Sequence, residues 1–132
     1  VRAFNEAGYF VFLVTNQAGV AHGHYPEAAI GELHGWLQSE LRKHSAHIDD
    51  IRYCPFHPQG KVDVYRRISD WRKPASGMIL DLSKSWNVDV PKSHLIGDKL
   101  SDIEAGQGAG VVSHLFAGGD LQAFARERKI IP

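Results

Sequence analysis

The sequence predicts a three-layer, Rossmann-like α/β fold with a mostly parallel sheet. Three observations carry that prediction: short apolar runs rich in β-branched and aromatic residues, segments of helical period between them, and polar or glycine-containing stretches directly after the runs. At 132 residues the chain reads as one domain, residues 1–132, with a long inserted loop over residues 55–74. Hydrophobic residues make up 43% and charged residues 23%, a globular mixture that excludes disorder as the main state. Fifteen basic side chains balance fifteen acidic ones, so no broad attraction to nucleic acid or to an anionic membrane is expected. A single cysteine, Cys54, excludes an internal disulfide framework and suits a reducing cytoplasm. No apolar run approaches the roughly 18 to 20 residues that cross a bilayer, and no signal-peptide layout opens the chain.

The elements follow in order. Val1 to Gly8 reads as the tail of an amphipathic helix closed by glycine. Tyr9 to Val14 is a continuous apolar run, expected to be a central strand buried on both faces. Ile30, Leu33, Leu37 and Leu41 recur at helical spacing and predict a covering helix. Ile48 to Cys54 suits a second strand, and Pro55 to Pro74, with its prolines and glycine, a surface loop. Ser76 is placed to cap a helix carrying Met78, Ile79, Leu82 and Trp86 on one face, with Asn87 ending it. His94 to Gly97 is a brief strand, Ser101-Asp-Ile-Glu104 a capping-box pattern, and Val111 to Phe116 another strand. A final short helix follows Gly118-Gly-Asp120 and ends in Arg126, Arg128 and Lys129, which favour a helix C-terminus.

In open parallel sheets ligands bind beyond the carboxyl ends of the strands, so the polar residues there are the informative ones. Thr15-Asn-Gln17, Arg72-Lys-Pro74 and Gly97-Asp-Lys99 with Asp102 are such residues. A hydroxyl with amides, two fixed cations and a carboxylate for a hard metal together describe a phosphoryl site. Taken singly each has a plainer reading: Thr15 and Asp98 as turn residues, Arg72 and Lys73 as surface charge, Asp102 as a helix-start residue. A P-loop reading of the glycines near Gly106 fails, because Gly-Lys-Ser/Thr is absent and the segment ends a helix instead of opening one. The eight histidines are scattered, and His114 within a strand reads as a partly buried structural residue.

In order and spacing these segments resemble the haloacid dehalogenase superfamily of phosphatases. Val14-Thr-Asn-Gln-Ala-Gly-Val20 is similar to its second motif, Arg72-Lys-Pro74 to its third, and Ile96-Gly-Asp-Lys-Leu-Ser-Asp102 to its fourth. Cys54-Pro-Phe-His-Pro58 and Gly77-Met78 bring the resemblance to the branch of the heptose bisphosphate and histidinol phosphate phosphatases, over Val1 to about Phe116. The resemblance implies a Mg²⁺-dependent phosphatase acting on a small sugar phosphate, with heptose bisphosphate as the first expectation and histidinol phosphate as the second. It implies that Thr15 hydrogen-bonds the transferring phosphoryl group with support from Asn16, that Lys73 neutralises nucleophile and phosphate, and that Arg72 binds substrate phosphate. Asp98 would hold Mg²⁺, Asp102 would orient Lys73 or the metal shell, and Lys99 is the remaining candidate in the phosphate set. The expected partner is a small phosphorylated metabolite, with no nucleic acid or membrane, bound by a monomer.

Two departures from the family pattern shape the expectations. An apolar strand ending in Asp-x-Asp, which supplies the nucleophile and the general acid and base, is absent from these residues. The expectation is therefore a domain lacking its first central strand and part of the next helix, with activity in the complete form. The alternative is a noncatalytic domain that binds phosphorylated ligands. The branch also carries a four-ligand zinc loop. Cys54 and His57 match its first half, whereas Ser69-Asp-Trp71 stands where two thiolates would be, so zinc is not expected and Trp71 packing is expected to hold the loop.

Overall fold

The computed structural model describes residues 1–132 and divides into two compact units, Val1–Ser69 and Asp70–Pro132, with the division inside the predicted loop. The first unit contains α1 (Arg2–Glu6), β1 (Phe12–Asn16), α2 (Ala28–Lys43) and β2 (Asp50–Cys54). β1 and β2 pair in parallel, with Thr15 opposite Tyr53 and Asn16 opposite Cys54. Gln17 extends the ladder by donating its amide to the Cys54 carbonyl at 2.8 Å. At the other end Asp49 donates its amide to the Val11 carbonyl and accepts the Val11 amide on its carboxylate. α1 ends as expected, with Gly8 at φ 86°.

β1 starts three residues later than the sequence suggests and is not enclosed. All five of its residues are half-buried, and Phe10 before it is 59% exposed. The reason is its pairing: β1 has β2 as its one hydrogen-bonded neighbour, and a two-stranded sheet cannot bury a strand as the middle of a wide sheet does. α2 turns Ile30 fully inward but leaves Leu33 and Trp36 exposed, so the predicted apolar stripe is narrower than its spacing implies. The inserted loop folds back on the turn after β1. Val62 donates its amide to the Ala21 carbonyl at 3.0 Å, and a Cβ on Gly60 would lie 2.8 Å from that of Ala21. A one-turn 3₁₀ helix (Asp63–Tyr65) and a bridge between His57 and Arg66 complete the loop.

The second unit contains α3 (Gly77–Ser85), β3 (His94–Gly97), α4 (Leu100–Gly108), β4 (Val112–Leu115) and α5 (Leu121–Glu127). β3 and β4 form a second parallel pair, His94 opposite Val112 and Gly97 opposite Leu115, and α4 packs against both. Asn87 ends α3 in the left-handed region at φ 49°, as its position suggests. Ser76 does not cap α3 through its side chain; its hydroxyl donates to the Ala105 carbonyl at 2.7 Å and ties the start of α3 to α4. Asp120 does cap α5, accepting the amides of Gln122 and Ala123. α4 begins at Leu100, one residue before the predicted start, and its N3 carboxylate is Asp102 instead of Glu104. Trp71 lies against Gly77, where a Cβ would meet its Cδ1 at 2.7 Å; the body of the loop is held by other contacts, described below.

α4 approaches β4 so closely that a Cβ on Gly106 would sit 2.0 Å from Ser113 Oγ and 3.3 Å from Leu95 Cδ1. Gly106→Ala is expected to destabilise the protein by about 1–3 kcal/mol through overpacking. Thermal unfolding should show most of that loss recovered in the Gly106→Ala, Ser113→Ala double variant, because the hydroxyl is the first atom met.

Candidate phosphoryl site

The carboxyl end of β3 is built around one carboxylate. Asp102, at the third position of α4, is 7% exposed and lies so near the strand that a Cβ on Gly97 would fall 2.6 Å from its Oδ2. Glycine at position 97 is thus a spatial requirement of Asp102. The Oδ2 atom accepts the Lys99 amide at 3.1 Å, and the Asp102 amide returns a bond to the Lys99 carbonyl at 3.0 Å, a reciprocal pairing that fixes the first turn of α4. The Oδ1 atom accepts from Lys73 Nζ, so the carboxylate is bound on both oxygens. Burial pushes the Asp102 carboxyl up, but the Lys73 ammonium and the backbone amides of Lys99 and Asp98 outweigh it and hold it below the usual carboxylate range. Asp102 is therefore ionised at neutral pH and holds Lys73 in place, both side chains being largely enclosed.

The neighbours of this pair have unused capacity. Arg72 Nη1 is buried without a hydrogen-bond partner, which for a guanidinium is a strong demand for an anionic oxygen. Asp98 and Lys99 are exposed at the end of β3. Lys99 joins the local network through its backbone amide, not its ammonium. In the second unit, then, Arg72, Lys73, Asp98, Lys99 and Asp102 lie on the segment before α3 and the β3 to α4 turn, with Lys73 and Asp102 in direct contact.

In the first unit, Thr15 and Asn16 end β1. Thr15 Oγ1 receives a hydrogen bond from Gln17 Nε2 at 3.1 Å, and Gln17 Oε1 receives one from the Tyr25 hydroxyl at 2.6 Å. The sequence marks Gln17 as a strand-end amide without giving it a partner and does not mark Tyr25, because their contact is made by a turn and not by a period. Glu27, at the start of α2, accepts from the hydroxyls of both Tyr53 and Tyr65 at 2.8 and 2.7 Å. The Tyr65 and Tyr53 hydroxyls hold its carboxyl below the usual range. Cys54 is fully buried with its thiol directed to the Phe56 carbonyl, and His57 Nδ1 accepts the Gln59 amide, with the His22 ring 4.7 Å away. No group of three or more His, Cys, Asp or Glu side chains is positioned to share a metal ion.

A HAD-hydrolase-like family model matches residues 70–130. The chain is 46% identical over 127 residues to the D-glycero-beta-D-manno-heptose-1,7-bisphosphate 7-phosphatase of Rhodopseudomonas palustris, covering 96% of this chain and 71% of that protein. It is 38% identical over 111 residues to the enzyme of the same name from Escherichia coli K12, covering 84% of this chain and 58% of that protein. The crystal structure of D,D-heptose 1,7-bisphosphate phosphatase from B. bronchiseptica, complexed with magnesium and phosphate, superposes with a TM-score of 0.79 at 26% identity, covering all of this chain and 69% of that one. This chain thus spans roughly three-fifths to seven-tenths of the length of these relatives.

Two outcomes test the Lys73–Asp102 pair. Asp102→Asn leaves an enclosed ammonium without its counter-charge and is expected to cost on the order of 3 kcal/mol in urea unfolding at pH 7. Because the folded Asp102 titrates below its unfolded range, its contribution is complete above about pH 4 and is lost as pH falls through the depressed folded value. Parent and variant stabilities should therefore converge on acidification.

Proposed function

The chain belongs to the haloacid-dehalogenase-like phosphatases of the heptose-1,7-bisphosphate 7-phosphatase type, and from that premise we propose that it forms the larger part of a magnesium-dependent enzyme that hydrolyses the 7-phosphate of a heptose bisphosphate. The observation that carries the proposal is the Lys73–Asp102 pair beside an Arg72 nitrogen that has no protein partner. Lys73, held by Asp102, supplies fixed positive charge to a phosphoryl group whose negative charge shifts during transfer, without reorganisation at the moment of reaction. Arg72 supplies the bidentate geometry suited to phosphate oxygens, and a bisphosphate offers two such groups. The motif resemblance supports a role for the Thr15 hydroxyl as donor to the transferring group, with Asn16 supporting it, and for Lys99 as a further member of the phosphate set.

Magnesium fits the residues present. The Asp98 side chain is exposed, makes no hydrogen bond, and offers the oxygen ligand that a hard cation takes. Magnesium keeps several waters and completes its shell with substrate phosphate, so one or two protein carboxylates suffice. When bound it supplies neutralisation of phosphate charge. Zinc is not proposed, because Ser69-Asp-Trp71 offers no thiolates to complete Cys54 and His57.

The family's attacking carboxylate and its acid–base partner are not among these 132 residues, so turnover is proposed for a protein that contains them. The names of the heptose-type relatives favour heptose bisphosphate over histidinol phosphate as substrate. The test is phosphate release by the protein from its native source, with heptose 1,7-bisphosphate, histidinol phosphate and simple sugar phosphates, with and without Mg²⁺. Metal-dependent release that is fastest from the heptose is expected; release from none of them leaves a noncatalytic phosphate-binding domain. Lys73→Ala should lower kcat by at least 100-fold, whereas Asp98→Asn should raise the Mg²⁺ concentration needed for half-maximal rate. Arg72→Ala should raise KM for a bisphosphate more than for a monophosphate.

A further inference from the structure

We propose that Gln17 and Tyr25 are positioning residues for the Thr15 hydroxyl, which they hold with its proton free to donate to a phosphoryl oxygen. The inference rests on the phosphatase reading above and deepens it. A threonine hydroxyl has one proton to donate and two lone pairs to accept with. Gln17 Nε2 donates to Thr15 Oγ1 at 3.1 Å and so occupies a lone pair, leaving the proton uncommitted to Gln17. The other protein contact of that hydroxyl is the Asn16 carbonyl at 3.4 Å, at the long limit of a hydrogen bond and readily given up to a charged acceptor.

The orientation of the Gln17 amide decides whether this works. Turned over, the amide would present its oxygen to Thr15 and take the proton that phosphate needs. The Tyr25 phenol sets the orientation by donating to Gln17 Oε1 at 2.6 Å, a short bond from a good donor. Tyr25 is in turn fixed by the turn that returns it to the end of β1. Val20 donates its amide to the Gln17 carbonyl at 3.2 Å and His24 to the Gly19 carbonyl at 2.8 Å. The phenol ring lies directly on Gly19, where a Cβ would be 2.2 Å from Cε1 and 2.8 Å from the hydroxyl oxygen. The glycine of this segment is therefore needed for space, and what fills the space is the ring that orients Gln17. All three polar side chains are half-buried, so bulk water competes weakly for the same bonds.

The test uses the native-length protein with Mg²⁺ and heptose 1,7-bisphosphate, with p-nitrophenyl phosphate as a second substrate, and compares Tyr25→Phe, Gln17→Leu, Thr15→Val and the doubles with Thr15→Val. Tyr25→Phe keeps the ring against Gly19 and should melt near the parent temperature, which preserves the test should Gln17→Leu fold poorly. The expected result is a fall in kcat of about threefold to tenfold for either variant with KM little changed, the scale of one neutral hydrogen bond. In the Thr15→Val background neither change should lower kcat further, because the hydroxyl they orient is gone. Parent-like kcat in Tyr25→Phe and Gln17→Leu, or equal losses with and without Thr15, would overturn the inference while leaving the phosphatase reading intact. No phosphate release from the parent would instead remove the phosphatase reading and the inference with it, whereas full activity in Thr15→Val would remove the inference alone.

Discussion

The ion pair between Lys73 and Asp102 is the constraint around which the second unit is arranged. An enclosed carboxylate must have partners on both oxygens, and Asp102 finds them in an ammonium and in the backbone amides that open α4. Satisfying it dictates glycine at position 97, because no side chain fits between the strand end and the carboxylate. It dictates where α4 begins, because Lys99 supplies both the amide that Asp102 accepts and the carbonyl to which it donates. It also fixes Lys73, and with it the segment that carries Arg72. One acidic side chain thereby joins the Arg72-Lys73 segment to the turn between β3 and α4, about 25 residues further along the chain.

A second carboxylate organises the first unit in the same manner. Glu27 joins the start of α2 to β2 through Tyr53 and to the inserted loop through Tyr65. The loop gains a further contact where the Arg67 guanidinium lies 3.7 Å from the centre of the Phe56 ring. Hydrogen bonds and a cation on an aromatic face thus tie the loop to its surroundings. Trp71 itself lies against Gly77 at the start of α3. The buried histidine has a comparable structural account: His114 meets His94 at 3.0 Å across the second strand pair and packs against Phe124 of α5. Burial, His94 and Arg128 push its pKa down, so the ring is kept neutral at neutral pH.

Much of the local structure was legible in the order of residue types. Glycine at position 8 and asparagine at position 87 end helices in positive φ, Asp120 caps α5, and β3 spans the residues its apolar run marks. The boundaries that differed are those set by contacts from outside the segment. Ser76 has the right residue type for a helix cap, but the Ala105 carbonyl lies within its reach, and that longer-range acceptor takes the hydroxyl. The capping-box pattern over residues 101–104 is sound locally, yet the Lys73 ammonium favours a box centred on Asp102.

By itself the sequence determined the α/β class, the parallel strands and the residue types that suit phosphate, because apolar period and strand-end polarity are properties of neighbouring positions. Tertiary structure alone decided that Arg72 has an unpartnered nitrogen although the adjacent Lys73 is paired. It alone decided that Tyr25 orients Gln17, and that Leu33, one of four residues at helical spacing, remains exposed. The physical reason is the same in each case. Periodicity states which face of an element a residue occupies, but whether a polar atom has a partner depends on which other segment reaches it, and that is a property of the folded chain.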